Sequence, residues 1–371
     1  MNNIRHNPQP VVAFQSQEKR FSTAFEVLRS AIASRAFPGA SVAVTYRGEI
    51  VALKGFGRFT YGKDSPQVNE ETIYDLASLT KVIATTAMTM LLFERGEVDL
   101  QAKVTDLLPD FDTGDERRKE ITLRMLLAHS SGLPAYERLF ERAKTRDELI
   151  RLAAMVPLAH DPMTCAEYSD IGFILLGEIL SNLAAEPIDS FCEHEIFGPL
   201  GMVNTGYRPG KRMSERIPPT AKDDFRHMII QGEVHDENAW VMGGVSGHAG
   251  VFGTAFDVAL FALSMLRMGS PIVKPQTVTR FTQREELPPG TSRALGWDTP
   301  SQPSQSGKYF SARSFGHLGF TGTSLWCDPA RQLSVTLLTN RVWPDSSSQA
   351  IKEVRPRFHD AIVESLEGSQ G

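Results

Sequence analysis

Cysteine is scarce in this sequence. Its three cysteines, Cys165, Cys192 and Cys327, stand far apart in a chain of 371 residues. None belongs to a C-x-x-C pair, so neither a disulfide framework nor a zinc knuckle is indicated. Free thiols of this kind are typical of proteins in a reducing compartment. The sequence also lacks a run of about 18 apolar residues, so no membrane-spanning helix is predicted.

Excess positive charge and an apolar leader are missing as well. The chain has 39 Lys and Arg against 44 Asp and Glu, a net charge of −5. This balance gives no electrostatic basis for binding nucleic acid. Residues 1–8 have no apolar core, so no secretory signal is predicted. We therefore expect a cytoplasmic protein, or a periplasmic one if a leader has been removed from the sequence.

Several familiar catalytic signatures are absent. No G-x-S-x-G is present, which argues against the nucleophile elbow of α/β-hydrolases, and no Walker or dinucleotide glycine motif occurs. His194 and Glu195 lack the second histidine of H-E-x-x-H. His235, Asp236 and His248 could bind a metal ion, but loop hydrogen bonds and turn chemistry are the favoured interpretation of this glycine-rich region. Neither a metal nor a cofactor is predicted.

The most informative stretch is residues 75–81, where Ser78 stands three residues before Lys81 and an apolar run follows over residues 82–93. In a helix this spacing puts the serine and the lysine on one face, about one turn apart. The serine can then act as a nucleophile, and the lysine can help take its proton. Ser16 has a lysine at the same spacing but no apolar helix after it. On the spacing alone, a catalytic pair and an ordinary buried helix start are equally supported.

A tyrosine offers chemistry of the same kind. Tyr168, Ser169 and Asp170 stand just before an apolar helix that begins at Ile171. A phenol beside a lysine ammonium has a lowered pKa and can serve as a general base for a serine hydroxyl. Taken alone, this stretch is better explained as a helix N-terminus capped by Ser169 or Asp170.

A third stretch, residues 317–324, is predicted to lie in a strand. Gly319 would let a substrate approach the backbone closely, and an edge strand would offer its amides as an oxyanion hole. A glycine bulge with His317 at the surface is the alternative interpretation.

Hydrophobic periodicity and turn residues give the order of elements. An arm over residues 1–18 precedes a helix over residues 21–37 and a hairpin of strands over residues 40–46 and 49–57. Helices dominate from about residue 81 to residue 232, except for a loop-like stretch over residues 205–235. One of them is predicted over residues 121–134, where His129 is interpreted as structural. The remaining predicted elements are strands near residues 318–327 and 333–339 and a last helix over residues 349–367.

This order predicts an α+β fold with two lobes. Residues 19–80 and 236–371 form an α/β lobe, in which an antiparallel sheet is flanked by the N-terminal and C-terminal helices. Residues 81–235 form a mostly helical inserted lobe. The active site is expected at the interface between the two.

The order of the three motifs resembles that of the serine β-lactamase and penicillin-binding-protein family: Ser78-x-x-Lys81, then Tyr168 about 90 residues later, then His317-x-Gly319. The chain is most similar to the class C-like branch, which includes D-Ala-D-Ala carboxypeptidases and family VIII carboxylesterases. Residues 126–133 and 316–323 support the likeness, which runs from about Phe21 to the final helix. The resemblance implies a β-lactamase/transpeptidase-like fold and no cofactor.

The resemblance also implies a role for each residue. Ser78 would be the nucleophile that forms an acyl-enzyme, and Lys81 and Tyr168 would transfer protons. The backbone amides of Ser78 and Phe320 would form the oxyanion hole, where each donor is typically worth about 3 kcal/mol. Asp170, His317 and Gly319 would border the substrate.

Two departures from the family pattern concern the substrate. Asp170 stands where many members have asparagine, and an ionised carboxylate cannot donate a hydrogen bond. His317 replaces a common lysine and carries at most a partial charge at pH 7, while Leu318 replaces a common threonine. The first change removes the donor that usually clamps a β-lactam amide carbonyl, and the second weakens recognition of the carboxylate that β-lactams and D-Ala-D-Ala termini share. We therefore favour a carboxylesterase or a muropeptide amidase over a dedicated β-lactamase.

Other interpretations remain. Residues 234–253 resemble a subgroup associated with muropeptide processing, so the expected partner is a small-molecule ester, amide or muropeptide. A β-lactamase or D-Ala-D-Ala carboxypeptidase is the alternative enzyme, and a catalytically idle binding protein on the same fold is the non-enzyme alternative. A metallohydrolase using His235, Asp236 and His248 is a third hypothesis. The sequence identifies neither the acyl and leaving groups nor the oligomeric state.

Overall fold

The computed structural model describes residues 11–368. Along this range the strands are β1 (Gly39–Tyr46), β2 (Glu49–Gly57), β3 (Tyr74–Asp75), β4 (Gly206–Tyr207), β5 (Ala221–Asp223), β6 (Met228–Ile230), β7 (Val251–Gly253), β8 (Phe315–Leu318), β9 (Ser324–Asp328) and β10 (Leu333–Thr339). Within it, the largest sheet is antiparallel with the order β2-β1-β10-β9-β8, so that β8 is an edge strand. Smaller sheets join β3, β7 and β4, and β5 with β6.

Helices surround the sheet and fill the middle of the chain. They are α1 (Gln17–Arg20), α2 (Ser22–Ala33), α3 (Ala87–Arg95), α4 (Val104–Leu107), α5 (Leu123–Leu127), α6 (Arg146–Met155), α7 (Asp170–Ala184), α8 (Ile188–Cys192), α9 (Gly198–Leu200), α10 (Glu237–Val241), α11 (Ala255–Leu266), α12 (Pro275–Thr282) and α13 (Ile351–Glu367). Single 3₁₀ turns include Ala77–Leu79, and Lys81–Thr86 and Glu193–Phe197 are π-helical.

The sheet is covered on both faces. Successive side chains of a strand point to opposite faces, and β1 follows this rule. Val42 and Val44 pack with Phe25 of α2 and Phe358 of α13, whereas Ala43 belongs to the cluster on the other face. Helix α11 packs against β1, β9 and β10. The α+β fold with an antiparallel sheet is therefore confirmed; the terminal helices α2 and α13 both cover one face of the sheet, and α11 covers the other.

The core on the second face is continuous with the helical part of the chain. One buried cluster joins Ala43 and Ile50 of the sheet with Met88 of α3, Leu149 of α6 and Leu175 of α7. Burial on this scale, at about 25 cal/mol per Å² of apolar surface, is the main source of stability. Among residues 11–368, no single helix has the length and apolar character to cross a membrane. One pair, Asp170–Ala184 with Ile188–Leu200, meets that test only together and is bent by 76°.

Several predicted elements are wrong in extent. The helix predicted over residues 21–37 ends at Ala33, close to Arg35, whose φ is 60°. The helix predicted over residues 121–134 is helical only over Leu123–Leu127, because the backbone turns at His129 (φ 55°) and Gly132 (φ 81°). The strand predicted near residues 318–327 is two strands, β8 and β9, separated by a turn over residues 319–323 that contains Gly322 at φ 99°.

Two segments predicted as irregular are partly ordered. Residues 205–235, predicted as loop-like, contain β4, β5 and β6. Residues 1–10 of the predicted arm lie outside the described range. Its remainder is held by the sheet, since the amide of Ile50 donates to the carbonyl of Val11 at 3.0 Å and the amide of Ala13 donates to the carbonyl of Ile50 at 2.9 Å.

Candidate active site

Ser78 lies on a tight turn between strand β3 and a buried helix. Asp75 ends β3, and its Oδ1 accepts a hydrogen bond from the amide of Ala77 at 2.8 Å. Ala77 has φ 47°, a left-handed conformation that is uncommon for a residue with a side chain. Ser78 is therefore presented on the single 3₁₀ turn Ala77–Leu79, and Lys81 starts the π-helical segment that follows.

Lys81 is fully buried and has three partners. Its Nζ lies 3.0 Å from Oγ of Ser78, 3.0 Å from the carbonyl oxygen of His248 and 2.6 Å from Oδ1 of Asp170. Asp170 starts α7, next to Ser169, whose hydroxyl caps that helix by accepting from the amide of Gly172 at 3.1 Å. The predicted neighbourhood of Ser78 and Lys81 is thus present, and Asp170 lies beside the lysine.

The protonation of this group differs from the prediction for Tyr168. Burial opposes the charge on Lys81, but the neighbouring Asp170 and Tyr168 raise its pKa above the ordinary value, so the ammonium persists at neutral pH. Burial also raises the pKa of Tyr168, although Lys81 and Ser78 act in the opposite direction. The expected lowering of the Tyr168 pKa is therefore wrong, because desolvation of the phenolate outweighs the attraction of one ammonium.

Tyr168 is enclosed by rings and cations. Its ring centroid lies 4.9 Å from Nζ of Lys81, 5.3 Å from the guanidinium carbon of Arg293, 4.7 Å from the ring of His129 and 5.7 Å from that of His317. Nδ1 of His129 accepts a hydrogen bond from the amide of Ser169 at 3.0 Å. His129 thus holds the main chain next to Tyr168, a contact consistent with a structural role.

His317 lies at the edge strand β8 and faces the same site. It is 2% exposed, so the alternative of a surface histidine is wrong. Its Nδ1 lies 2.8 Å from the carbonyl oxygen of Leu318 and therefore carries the proton of that hydrogen bond. Burial, together with Lys81 and Arg293, holds the pKa of His317 well below its ordinary value. His317 is neutral and supplies no positive charge for a substrate carboxylate.

The 319–323 turn is fastened to the segment before Ser78. The hydroxyl of Thr321 donates to the carbonyl of Asp75 at 2.8 Å, and that of Thr323 donates to the carbonyl of Leu76 at 2.9 Å. A Cβ on Gly319 would stand 2.0 Å from Oγ1 of Thr323 and 2.7 Å from the Leu76 carbonyl. The absence of a side chain at Gly319 thus lets the turn pack against the segment before Ser78, and the close approach of a substrate to the Gly319 backbone stays a prediction.

His235, Asp236 and His248 form a network behind the site. Nε2 of His248 lies 2.8 Å from Oδ1 of Asp236, and Nδ1 lies 2.8 Å from Oγ of Ser246. The amide of His235 donates to Oδ2 of Asp75 at 2.6 Å, and its ring stacks on Phe320 at 5.6 Å. Across residues 11–368 there is no group of three or more His, Cys, Asp or Glu side chains arranged to hold a metal ion. Through the Asp75 carboxylate and the His248 carbonyl, the network contacts both ends of the segment that carries Ser78 and Lys81.

The pKa values of the ionisable groups in this network depend on how far each group is buried and on its partners. Burial would raise the pKa of Asp236, but its pairing with His248 lowers that pKa to about 2. Burial lowers the pKa of His235 to about 4 and raises that of Asp75 to about 6, despite the two amides that donate to Asp75.

A cavity of about 990 Å³ opens over the site. Ser78, Tyr168, Asp170 and His317 line one part of it, and the half-exposed ring of Phe320 stands at its rim. This volume is at the upper end of the range for small-molecule sites. Buried arginines line another part, and no motif in the sequence marks them.

Comparison with known proteins agrees with this geometry. A family model described as beta-lactamase matches residues 24–355. The chain belongs to the beta-lactamase family. Two relatives are similar over most of their length. The N-acetylmuramyl-L-alanine amidase of Bacillus subtilis (strain 168) is 34% identical over 343 residues, covering 82% of this chain and 77% of the relative. A putative D-alanyl-D-alanine carboxypeptidase of Salmonella agona (strain SL483) is 32% identical over 304 residues, covering 73% and 69%.

Solved structures share the fold of this beta-lactamase family member. EstCE1, a hydrolase with promiscuous acyltransferase activity, has a TM-score of 0.76 at 22% identity and covers 93% of this chain and 99% of its own. The octameric penicillin-binding protein homologue from Pyrococcus abyssi has a TM-score of 0.74 at 20% identity and covers 94% and 77%. The β-lactamase/transpeptidase-like fold is thus confirmed, and the chain is a hydrolase of the beta-lactamase family.

Sequence reasoning missed some residues of this beta-lactamase family site. Arg293 carries no motif and approaches Tyr168 only in the folded chain. Asp75 was noted only as the start of the Ser78 stretch, yet both its oxygens accept backbone hydrogen bonds. The N-cap position of Ser169 is a local signal and was predicted; the contact of its amide with His129 is not local.

Proposed function

We propose that this protein is a serine hydrolase that cleaves an amide or ester bond in muropeptide-like molecules through an acyl-enzyme on Ser78. The observation that carries this proposal is the 3.0 Å contact between Nζ of Lys81 and Oγ of Ser78, made by a lysine that is completely buried. Burying a lysine is costly unless it is paired or functional. The contact with Ser78 supports a catalytic role for the buried Lys81.

The charges set the path of the proton. An ammonium cannot accept the Ser78 proton until it has passed one of its own to a neighbour. Asp170, 2.6 Å away, is the neighbouring acceptor. As Oγ of Ser78 bonds to the substrate carbonyl carbon, Lys81 takes the hydroxyl proton and gives one to Asp170. Reversal of this transfer protonates the leaving group, whose bond to the carbonyl carbon then breaks.

Tyr168 contributes as a neutral phenol. Its raised pKa keeps the hydroxyl protonated, and that hydroxyl interacts with both Ser78 and Lys81. A neutral phenol can pass a proton to the leaving nitrogen or oxygen and regain it from Lys81. In the second half of the reaction, water takes the place of the leaving group and attacks the acyl carbonyl, which regenerates Ser78.

The oxyanion that forms during attack would be stabilised by the backbone amides of Ser78 and Phe320. The threonine bonds from the 319–323 turn to Asp75 and Leu76 support this assignment, since they hold the two backbone segments together. Each donor of such a pair is typically worth about 3 kcal/mol of transition-state stabilisation.

The relatives support the substrate class. The Bacillus subtilis relative is named for an amide bond of N-acetylmuramyl-L-alanine, and a muropeptide amide is the bond we propose for this chain. A D-Ala-D-Ala carboxypeptidase is the second candidate, favoured by the Salmonella relative. The ion pair of Asp170 with Lys81 and the neutrality of His317 argue against that candidate, because neither residue offers a charged or amide donor to a terminal carboxylate.

The test is a substrate panel with two serine variants. Wild type, Ser78→Ala and Ser16→Ala are compared on N-acetylmuramyl peptides, 4-nitrophenyl esters, D-Ala-D-Ala peptides and nitrocefin. Ser16 is a matched control because a lysine follows it at the same spacing. We expect Ser78→Ala to lose at least about 1,000-fold in kcat/KM, as nucleophile removal does elsewhere, and Ser16→Ala to keep full activity. Full activity in Ser78→Ala, or a fluorophosphonate adduct on another residue, contradicts the proposal.

A further inference from the structure

The cavity above Ser78 contains two buried arginines that the proposed reaction does not use. Arg341 lies two residues after the end of strand β10, and Arg355 lies in the second turn of α13. They are 6% and 3% exposed, respectively, and both line the cavity. Arginine is rarely this buried without a partner of opposite charge.

Only some of the nitrogen atoms of these two side chains donate hydrogen bonds, and the acceptors are neutral groups. Nε of Arg341 donates to the carbonyl of Phe320 at 2.8 Å, and its Nη1 donates to the carbonyl of Ser348 at 2.9 Å. Nη1 of Arg355 donates to Oε1 of Gln305 at 2.8 Å, while its Nε is buried without a hydrogen-bond partner. Arg355 therefore has donors left over beside the cavity.

No carboxylate neutralises either guanidinium among residues 11–368: neither arginine takes part in an ion pair there. By contrast, Arg124, Arg146 and Arg331, which are more exposed, are all paired with acids. Burial lowers the pKa of Arg355 to about 9, with Arg341 adding to the effect, and burial alone lowers that of Arg341. Two like charges are thus held in a desolvated place where an anion would be stabilised.

We infer that Arg355, with Arg341 beside it, binds a carboxylate of the substrate, so that the preferred amides and esters carry an anionic group away from the bond that is cleaved. This inference rests on the proposed function of Ser78, since it takes the ligand of the cavity to be the substrate. Arg341 positions the turn through the Phe320 carbonyl, and Arg355 supplies the free donors. Carboxylate-bearing acyl or peptide groups are the class that this arrangement fits.

The neutral His317 makes this second location useful. With Leu318 beside it and no charge on its ring, the edge strand offers no cation to a carboxylate. The buried arginines provide one from a different segment of the chain. Selection for an anionic substrate is then compatible with the absence of the lysine that many members of the family have.

A pair of matched esters tests the inference. In mono-4-nitrophenyl adipate a carboxylate replaces the terminal methyl of 4-nitrophenyl hexanoate. We expect Arg355→Met to raise KM for the adipate ester about 10- to 100-fold, the range for losing a charge-assisted hydrogen bond, and to leave the hexanoate ester within about twofold. Arg357→Met, an exposed arginine on the same helix, is the control and should change neither.

Stability separates binding from folding. Removing a buried, unpaired charge is often neutral or stabilising, so Arg355→Met should unfold at the same temperature as wild type or higher. A lower unfolding temperature together with equal losses on both esters would assign Arg355 a structural role and overturn the inference.

A binding measurement makes the outcome independent of turnover. Calorimetric titration of adipate into Ser78→Ala and into Ser78→Ala/Arg355→Met should show binding about tenfold or more weaker in the double variant. Equal affinity in the two, or no affinity in either, refutes the anion site. These results stand whether or not Ser78 is the nucleophile, so failure of the proposed function and failure of this inference are distinguishable.

Discussion

The carboxylate of Asp170 lies closer to the Lys81 ammonium, at 2.6 Å, than the Ser78 hydroxyl does, at 3.0 Å. Lys81 is therefore part of an ion pair before any substrate arrives. The raised pKa of Lys81 follows from this pairing, since burial alone would lower it. The proton balance of the proposed reaction depends on this contact, and both the contact and its surroundings can be tested.

Replacing Asp170 with asparagine should shift the pH dependence of hydrolysis. Without the carboxylate, the effect of burial on Lys81 is opposed only by Tyr168, so the pKa of Lys81 falls. In wild type Lys81 passes a proton to an ionised Asp170, whereas the variant needs a neutral Lys81, so the acidic limb of the kcat/KM profile should move to higher pH. Profiles of an ester substrate for wild type and Asp170→Asn measure this shift. Asp224→Asn, an exposed acid on the cavity wall, is the control; an acidic limb that stays in place in Asp170→Asn contradicts the ion-pair argument.

The Asp236–His248 pair should couple stability to activity. Removing one partner leaves the other largely buried and unpaired, so His248→Asn and Asp236→Asn should each lower the free energy of unfolding by about 3–5 kcal/mol. The double variant should lose less than the sum of the two. Because the His248 carbonyl accepts from Lys81, kcat should fall as well. Urea unfolding and ester kinetics on the four proteins give the coupling; additive losses argue against a joint role.

The same pair makes a prediction at low pH. Asp236 has a folded-state pKa of about 2, below its ordinary 3.8. Its contribution to stability is therefore complete above about pH 4 and is lost as the pH falls towards 2.

Asp75 should have the opposite dependence on pH. Its pKa rises from 3.8 to about 6 in the folded chain because of burial. The folded state thus holds the proton more firmly than the unfolded state. The resulting stabilisation is complete below about pH 4 and is lost as the pH rises through 6, a change of about 3 kcal/mol. Compared with Asp75→Asn, wild type should become less stable by about 2 kcal/mol between pH 4.5 and pH 7.5, because the rest of the change lies largely below pH 4.5. A difference that does not vary with pH would show that Asp75 is already ionised at pH 4.5.

His129 should act as a positioning residue for Tyr168. His129→Phe keeps a ring but loses the acceptor for the Ser169 amide, whereas His129→Asn keeps an acceptor and tolerates φ 55°. We expect the phenylalanine variant to lose about 1–3 kcal/mol of stability and most of its kcat, with KM little changed. The asparagine variant should recover much of both. Equal kcat in the two variants, measured with a saturating ester, would argue against positioning through the Ser169 amide.

Local patterns predicted much of the fold. The hairpin of β1 and β2 and the last helix, α13, depend on neighbours in sequence, and the structure has them. The spacing of Ser78 and Lys81 belongs to the same class. The 121–134 segment was wrong for a physical reason: its apolar run continues past the point where His129 adopts a left-handed conformation, and nothing in the periodicity marks that residue.

Properties that depend on burial were not predictable in the same way. The pKa of Tyr168 was assigned the wrong direction because a neighbouring ammonium can be inferred from a motif, whereas the loss of solvent around the phenol cannot. The close packing of Thr323 against Gly319 likewise depends on the folded turn and has no signal in the sequence. Arg355 looked like any arginine on an amphipathic helix. The lack of an acidic side chain beside Arg355 is a property of the folded chain and cannot be inferred from its sequence neighbours.

The threonine bonds of the 319–323 turn have a consequence for how this protein could diversify. These hydrogen bonds of Thr321 and Thr323 join the nucleophile and the predicted oxyanion donors into a single rigid unit, so we expect the two to be retained together. Gln305 and Arg355 come from other segments and are attached to this unit only indirectly. Substitutions there could exchange one range of substrates for another while the reaction itself is preserved. Directed evolution of new specificities should therefore find its beneficial changes in those segments and few in the turn.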